Sequence, residues 1–224
     1  MKKEGPILFC GYNTSAQAAL KQMQDDIENR GIIIVSKKEV PVSPGVTHLS
    51  LDYLNIENLK SRKVGLHNCS VCVIFAEFTG DESSQTVDMH TVLTVYNIKK
   101  EHPEAHVIAE ILDRENTTII HDFHCDDIIF KETIDYNLIT SCILHPHISP
   151  IIYDLLTVRG KKLKQRSPAE AGVAGDGATF KEVRLKGLEQ DVTYLGYISG
   201  EGKAELMPSN DTTIRKDYRL VYIE

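Results

Sequence analysis

The sequence predicts an α/β chain: a Rossmann-like, doubly wound parallel sheet, then a helix–turn–helix segment, then a small β-rich C-terminal subdomain. Three observations predict it. Short, wholly apolar runs such as Ile7–Cys10, Ile32–Val35 and Val71–Ala76 recur and read as strands buried on both faces. Between them lie segments whose apolar residues fall at helical spacing. Beyond Ile134 the period becomes that of two helices, and beyond Thr179 that of short strands and turns.

Taken in order, Ile7–Cys10 is the first strand and ends at Gly11. Ala16, Leu20, Met23 and Ile27 mark a helix that stops near Arg30-Gly31. Ile32–Val35 is the second strand and Val46–Leu51 a weaker third, followed by a polar helix through Leu54, Leu59 and Val64. Val71–Ala76 is the strongest strand. Thr86–Lys100 is a helix with Met89, Val92, Leu93 and Tyr96 on its apolar face, stopped by Pro103. Strand His106–Leu112, helix Arg114–Phe123 and strand Asp127–Phe130 complete the sheet.

Ile134, Leu138 and Ile139, then Ile148, Ile151, Ile152, Leu155 and Leu156, define two helices parted by His145-Pro146-His147. The stripe on the second packs either on its own sheet or on a partner subunit. Gly160–Thr179, rich in Gly and Ala, reads as a flexible linker. Phe180–Leu188, Val192–Ile198, Ala204–Met207 and Tyr218–Ile223 read as short strands, with Gly200-Glu201-Gly202 as a hairpin turn. The expected divisions are a sheet lobe over 1–133, the helix–turn–helix over 134–159, the linker over 160–178 and the β subdomain over 179–224.

With 224 residues, 42% hydrophobic and 25% charged, the chain has enough material for a core without disulfides or metals. A disordered, collagen-like or disulfide-scaffold protein is excluded. Lys+Arg 25 against Asp+Glu 32 leaves −7, which disfavours nucleic acid and suits small cations. No apolar run reaches the ~18–20 residues of a membrane span, so the chain itself is expected to be soluble and cytosolic. The five cysteines, at 10, 69, 72, 125 and 142, sit mostly in apolar runs and are expected to be free and buried. Cys69-x-x-Cys72 runs into a strand, where residues three apart face opposite ways, so it is not read as a metal or redox motif.

The first strand–turn–helix is where a dinucleotide would sit. Against the pattern G-x-G-x-x-G, the chain has Gly11-Tyr12-Asn13-Thr14-Ser15-Ala16, which keeps only the first glycine. Asn13 puts a side chain where phosphates should lie. The second strand ends Val35-Ser36-Lys37-Lys38, without the acid that holds a ribose. Gly11, Tyr12, Asn13, Thr14, Ser36 and Lys37 therefore form a degenerate nucleotide loop. No Ser/Tyr/Lys or Cys/His catalytic set accompanies it, so the chain is read as a non-enzyme. His121-x-x-His124 and His145-x-His147 are further candidates for metal or pH sensing.

Leu8-Phe9-Cys10-Gly11-Tyr12-Asn13-Thr14-Ser15 followed by a helix resembles the opening of the RCK domain, the regulator of potassium conductance. Ile98-Lys99-Lys100-Glu101-His102-Pro103 leading to Val107–Leu112 is similar to the matching helix–strand of calcium-activated potassium channels. Met207–Thr212 with Arg215–Leu220 resembles the closing hairpin of the RCK C-terminal subdomain, though this part of the chain is short and leaves little room for the customary helix there.

The resemblance implies a homo-oligomer: dimers formed through 134–159 that assemble into an octameric ring on the cytoplasmic face of a membrane, beneath a potassium pore. It also implies opening of the pore by a ligand, with no nucleic acid involved. Where nucleotide-binding relatives carry an Arg at the end of the fifth strand, this chain has Glu110, as in the calcium-gated archaeal channel. Glu110 with Asp81, Glu82, Asp113 and Glu77 is thus the expected divalent-cation site, with Ca²⁺ favoured. Leu112 stands where that channel has a second Glu. The alternative is a nucleotide-binding (NAD, ATP or ADP) subunit of a Trk- or Ktr-type potassium transporter; more remote is an NAD-dependent oxidoreductase.

Overall fold

The computed structural model describes residues 5–23, 30–41, 44–156, 163–173 and 177–224, with backbone alone for 131–134. Ile27 and parts of the expected linker lie outside the described residues. The chain divides into two compact units, Met1–Thr140 and Ser141–Glu224.

The first unit contains β1 (Ile7–Cys10), α1 (Thr14–Gln22), β2 (Ile32–Val35), β3 (Val46–Leu49), α2 (Ile56–Lys60), β4 (Val71–Ile74), α3 (Ser84–Glu101), β5 (His106–Ile111), α4 (Thr117–Asp122) and β6 (Asp127–Phe130). The strands form one parallel sheet in the order β3-β2-β1-β4-β5-β6. The chain winds outward from β1 in one direction and then returns past it in the other. The gap between α1 and the helix after β4 therefore opens above the carboxyl ends of β1 and β4. Apolar side chains fill both sheet faces: Leu8, Cys10, Cys72, Ile74 and Val107 on one, and Ile7, Phe9, Ile32 and Ile34 on the other.

Helix α3 starts at Ser83, whose hydroxyl accepts the amide of Thr86. It buries Val87, Asp88, Thr91, Val92, Val95 and Ile98. The apolar face expected from the sequence is rotated: only Val92 of that set is buried, while Met89, Leu93 and Tyr96 are 45%, 46% and 39% exposed. Thr91 and Thr94 bond carbonyls one turn back, at Val87 and His90, so polar residues sit on the inner face at no hydrogen-bonding cost. Cys69 and Cys72 are both fully buried in the same cluster, a correction to the opposite-face expectation. The reason is that Cys69 closes the turn Leu66–Asn68 and precedes the strand. Both thiols are free.

Helix α5 (Lys131–Leu144) runs across the division between the units, and α6 (Ser149–Leu156) belongs to the second. The second unit also holds β7 (Leu163–Arg166), β8 (Ala178–Thr179), α7 (Phe180–Glu189), β9 (Thr193–Ile198), β10 (Ala204–Leu206), β11 (Thr213–Ile214) and β12 (Arg219–Ile223). An antiparallel sheet of order β10-β9-β12-β7 and a β11-β8 pair surround Phe180, Val183, Tyr194, Ile214 and Leu220. The Gly200–Gly202 turn joins β9 to β10 as expected, with Gly202 at φ +83°.

Phe180–Glu189 is a helix and not a strand, held by a capping box in which Thr179 and Glu182 exchange hydrogen bonds. The linker is not a linker over 163–173: β7 pairs along β12, and Ala171 and Val173 are buried. Arg166 of β7 lies over the rings of Tyr194 and Tyr222, 5.0 and 4.4 Å from their centroids, which ties the strand to the core.

Candidate functional site

Around the carboxyl ends of β4 and β5 lie three carboxylates that are almost wholly buried: Glu77, Asp88 on α3, and Glu110, at 1%, 0% and 6% exposure. Burying a carboxylate is costly unless donors surround it. Each of the three is met by backbone amides and neutral side chains.

Glu110 lies in β5. One oxygen accepts from Ser15 Oγ at 2.5 Å; the other accepts from Asn13 Nδ2 at 2.6 Å and the Ala76 amide at 3.0 Å. It thereby ties the end of β5 to the end of β4 and to the start of α1. Asn13 is itself the cap of α1, accepting the Ala16 amide, and its Nδ2 also donates to the Ala76 carbonyl. Glu77 follows β4 and turns the other way. Its Oε1 accepts the Tyr12 amide at 3.0 Å and Ser36 Oγ at 2.5 Å. Gly11, between them, has φ +85°, and a Cβ there would stand 2.8 Å from the Phe75 carbonyl oxygen and 3.2 Å from Glu77 Cβ. Asp88, on α3, receives the amides of Leu112 and Asp113 and the Asn116 side chain at 2.8–2.9 Å.

The expected nucleotide loop is therefore present in shape and engaged by the chain itself. Gly11 makes the tight turn, Tyr12 gives its amide to Glu77, Asn13 serves Glu110, and Ser36 holds Glu77. Thr14 is the first residue of α1. Lys37 points to Asp52, 2.7 Å away, which lowers the Asp52 pKa below the ordinary carboxylate value through that hydrogen bond. A dinucleotide fold presents backbone amides and a helix start to phosphate here. In this chain Glu77 accepts the loop amide of Tyr12, and Glu110 accepts the Ser15 hydroxyl and the Asn13 side-chain amide.

The expected metal set is not gathered into one site. Glu110 gives its oxygens to Ser15, Asn13 and Ala76; Asp113 caps the turn Arg114–Asn116; Glu82 accepts both the amide and the hydroxyl of Thr79. Asp81 is exposed on the same loop. Among the described residues no group of three or more His, Cys, Asp or Glu is placed to hold a metal ion. The histidine pairs follow suit: α4 ends at Asp122, and His124 and His147 have left-handed backbone, so neither pair shares a helical face. Asp88 was not anticipated. Its sequence signal is an acid in phase with Val87, Val92 and Val95 on an inward helical face.

Residues 5–109 match the sequence profile of the calcium-activated potassium channel slowpoke-like RCK domain. The first unit is an RCK domain. No curated protein sequence matches the chain. Among solved structures, the human SLO3 gating ring is similar over 99% of this chain and 44% of its own, at 18% identity and TM-score 0.70. The GsuK channel bound to NAD is similar over 100% of this chain and 36% of its own, at 16% identity and TM-score 0.52. GsuK bound to ADP is similar over 65% and 35%, at 15% identity and TM-score 0.50. At these identities the likeness carries the fold. The chain spans less than half the length of the SLO3 and GsuK chains. Among the described residues no helix is long and apolar enough to cross a membrane.

Proposed function

We propose that this chain is a non-enzymatic gating-ring domain of a potassium channel, acting on the cytoplasmic face of the membrane within an oligomeric ring. The observation that carries the reading is the RCK domain over residues 5–109 within a chain that follows the SLO3 gating ring along 99% of its length. The exposed apolar residues of α5 and α6 support it. Tyr136, Ile139, Ile143, Leu144, Ile151, Tyr153 and Leu156 are each more than half exposed, and burying such residues between copies is the ordinary source of assembly free energy.

A divalent cation, with Ca²⁺ favoured, is the activating ligand in this reading. A cation taken up by Glu110 must compete with Ser15 and Asn13 for the same oxygens. Uptake would loosen the start of α1 from the end of β5, and binding would then favour one arrangement of the lobe over another by the difference in affinity. Calcium's need for about six to eight oxygens makes that affinity modest, because water must complete the shell. The second reading, a nucleotide, is favoured by the GsuK structures bound to NAD and ADP. Here Glu77 and Glu110 stand against it: they occupy the donors a phosphate would use and repel its charge.

The test is sedimentation velocity of the purified chain with and without CaCl₂. A species that is a multiple of 25.1 kDa is expected, with calcium altering its shape or stability. A monomer unaffected by calcium contradicts the proposal.

A further inference from the structure

We draw no further inference here: the strongest candidate, the exposed apolar stripe of Met89, Leu93 and Tyr96 along α3, carries nothing because nothing in the structure shows what covers it.

Discussion

Ser36 at the end of β2 donates its hydroxyl to Glu77 beyond the end of β4, 2.5 Å away, across the strand β1 that lies between them. A dinucleotide fold places an acid at the end of β2 to hold a ribose. Here the second strand supplies the donor and the fourth supplies the acid, so the contact closes within the chain. Ser36→Ala removes a donor to a buried carboxylate and should cost about 1–3 kcal/mol in urea unfolding. A change below about 0.5 kcal/mol, the range of ordinary surface substitutions, would show that the contact is not part of the folded-state balance.

Glu110 gathers Ser15, Asn13 and the Ala76 amide. Glu110→Ala leaves the Ser15 hydroxyl, the Ala76 amide and one N–H of Asn13 without their acceptor at a buried position and should cost about 2–4 kcal/mol. Glu110→Gln keeps an accepting oxygen and should cost less. Chemical denaturation of both variants checks the order; equal stability of wild type and Glu110→Ala would mean that the carboxylate is dispensable for the rim.

Gly11→Ala sets a side chain at φ +85° with its Cβ 2.8 Å from the Phe75 carbonyl. The strain of that backbone alone amounts to roughly 1–3 kcal/mol, and the contact adds to it. A lowered melting temperature is the expected result in differential scanning calorimetry, and an unchanged one would place the turn elsewhere.

Four of the five cysteines are buried and one, Cys142, is half-buried. Burial raises the thiol pKa of Cys69 to about 11 and of Cys72 and Cys125 to about 12, from an ordinary 9.0. A disulfide reagent at pH 8 should therefore label one thiol quickly, and Cys142→Ser should abolish that phase. The raised values also fix a sign. The stability these thiols contribute is complete below pH 9.0, where the unfolded thiols stay protonated, and falls as pH rises through about 11 to 12. Melting temperatures measured across that window should decline; a flat profile would contradict the burial.

The sheet was legible because its strands are buried on both faces and so read as unbroken apolar runs, as at Ile32–Val35 and Val71–Ile74. Where burial was one-sided, pattern alone misled. Phe180, Val183 and Gly187 lie on the inner face of α7, but Leu185 and Leu188 on the outside blur the helical period, and the Thr179–Glu182 box was the better guide. The Gly- and Ala-rich stretch before it hides a strand whose anchor is Arg166 between two tyrosines, a contact that no local pattern encodes. At the site, the acids were visible but their partners were not. Glu77 and Ser36 are far apart in sequence, and only the strand order brings them together. Read singly, each acid looked like a ligand for a cation; together they serve as acceptors for the chain's own donors.

On α6, Ile151 and Leu156 are 59% and 58% exposed. In the proposed assembly, Ile151→Asp with Leu156→Asp should shift the sedimenting species toward 25.1 kDa without loss of the first unit's secondary structure. An unchanged sedimentation coefficient would remove α6 from the interface.

Calorimetric titration of the wild-type chain with NADH, and separately with ADP, measures whether Glu77 and Glu110 hold the donors of the dinucleotide crevice against a phosphate. No saturable heat up to millimolar nucleotide is expected, because a phosphate must displace buried carboxylates from Ser15, Asn13, Tyr12 and Ser36. Saturable binding of either nucleotide in the micromolar range would contradict it.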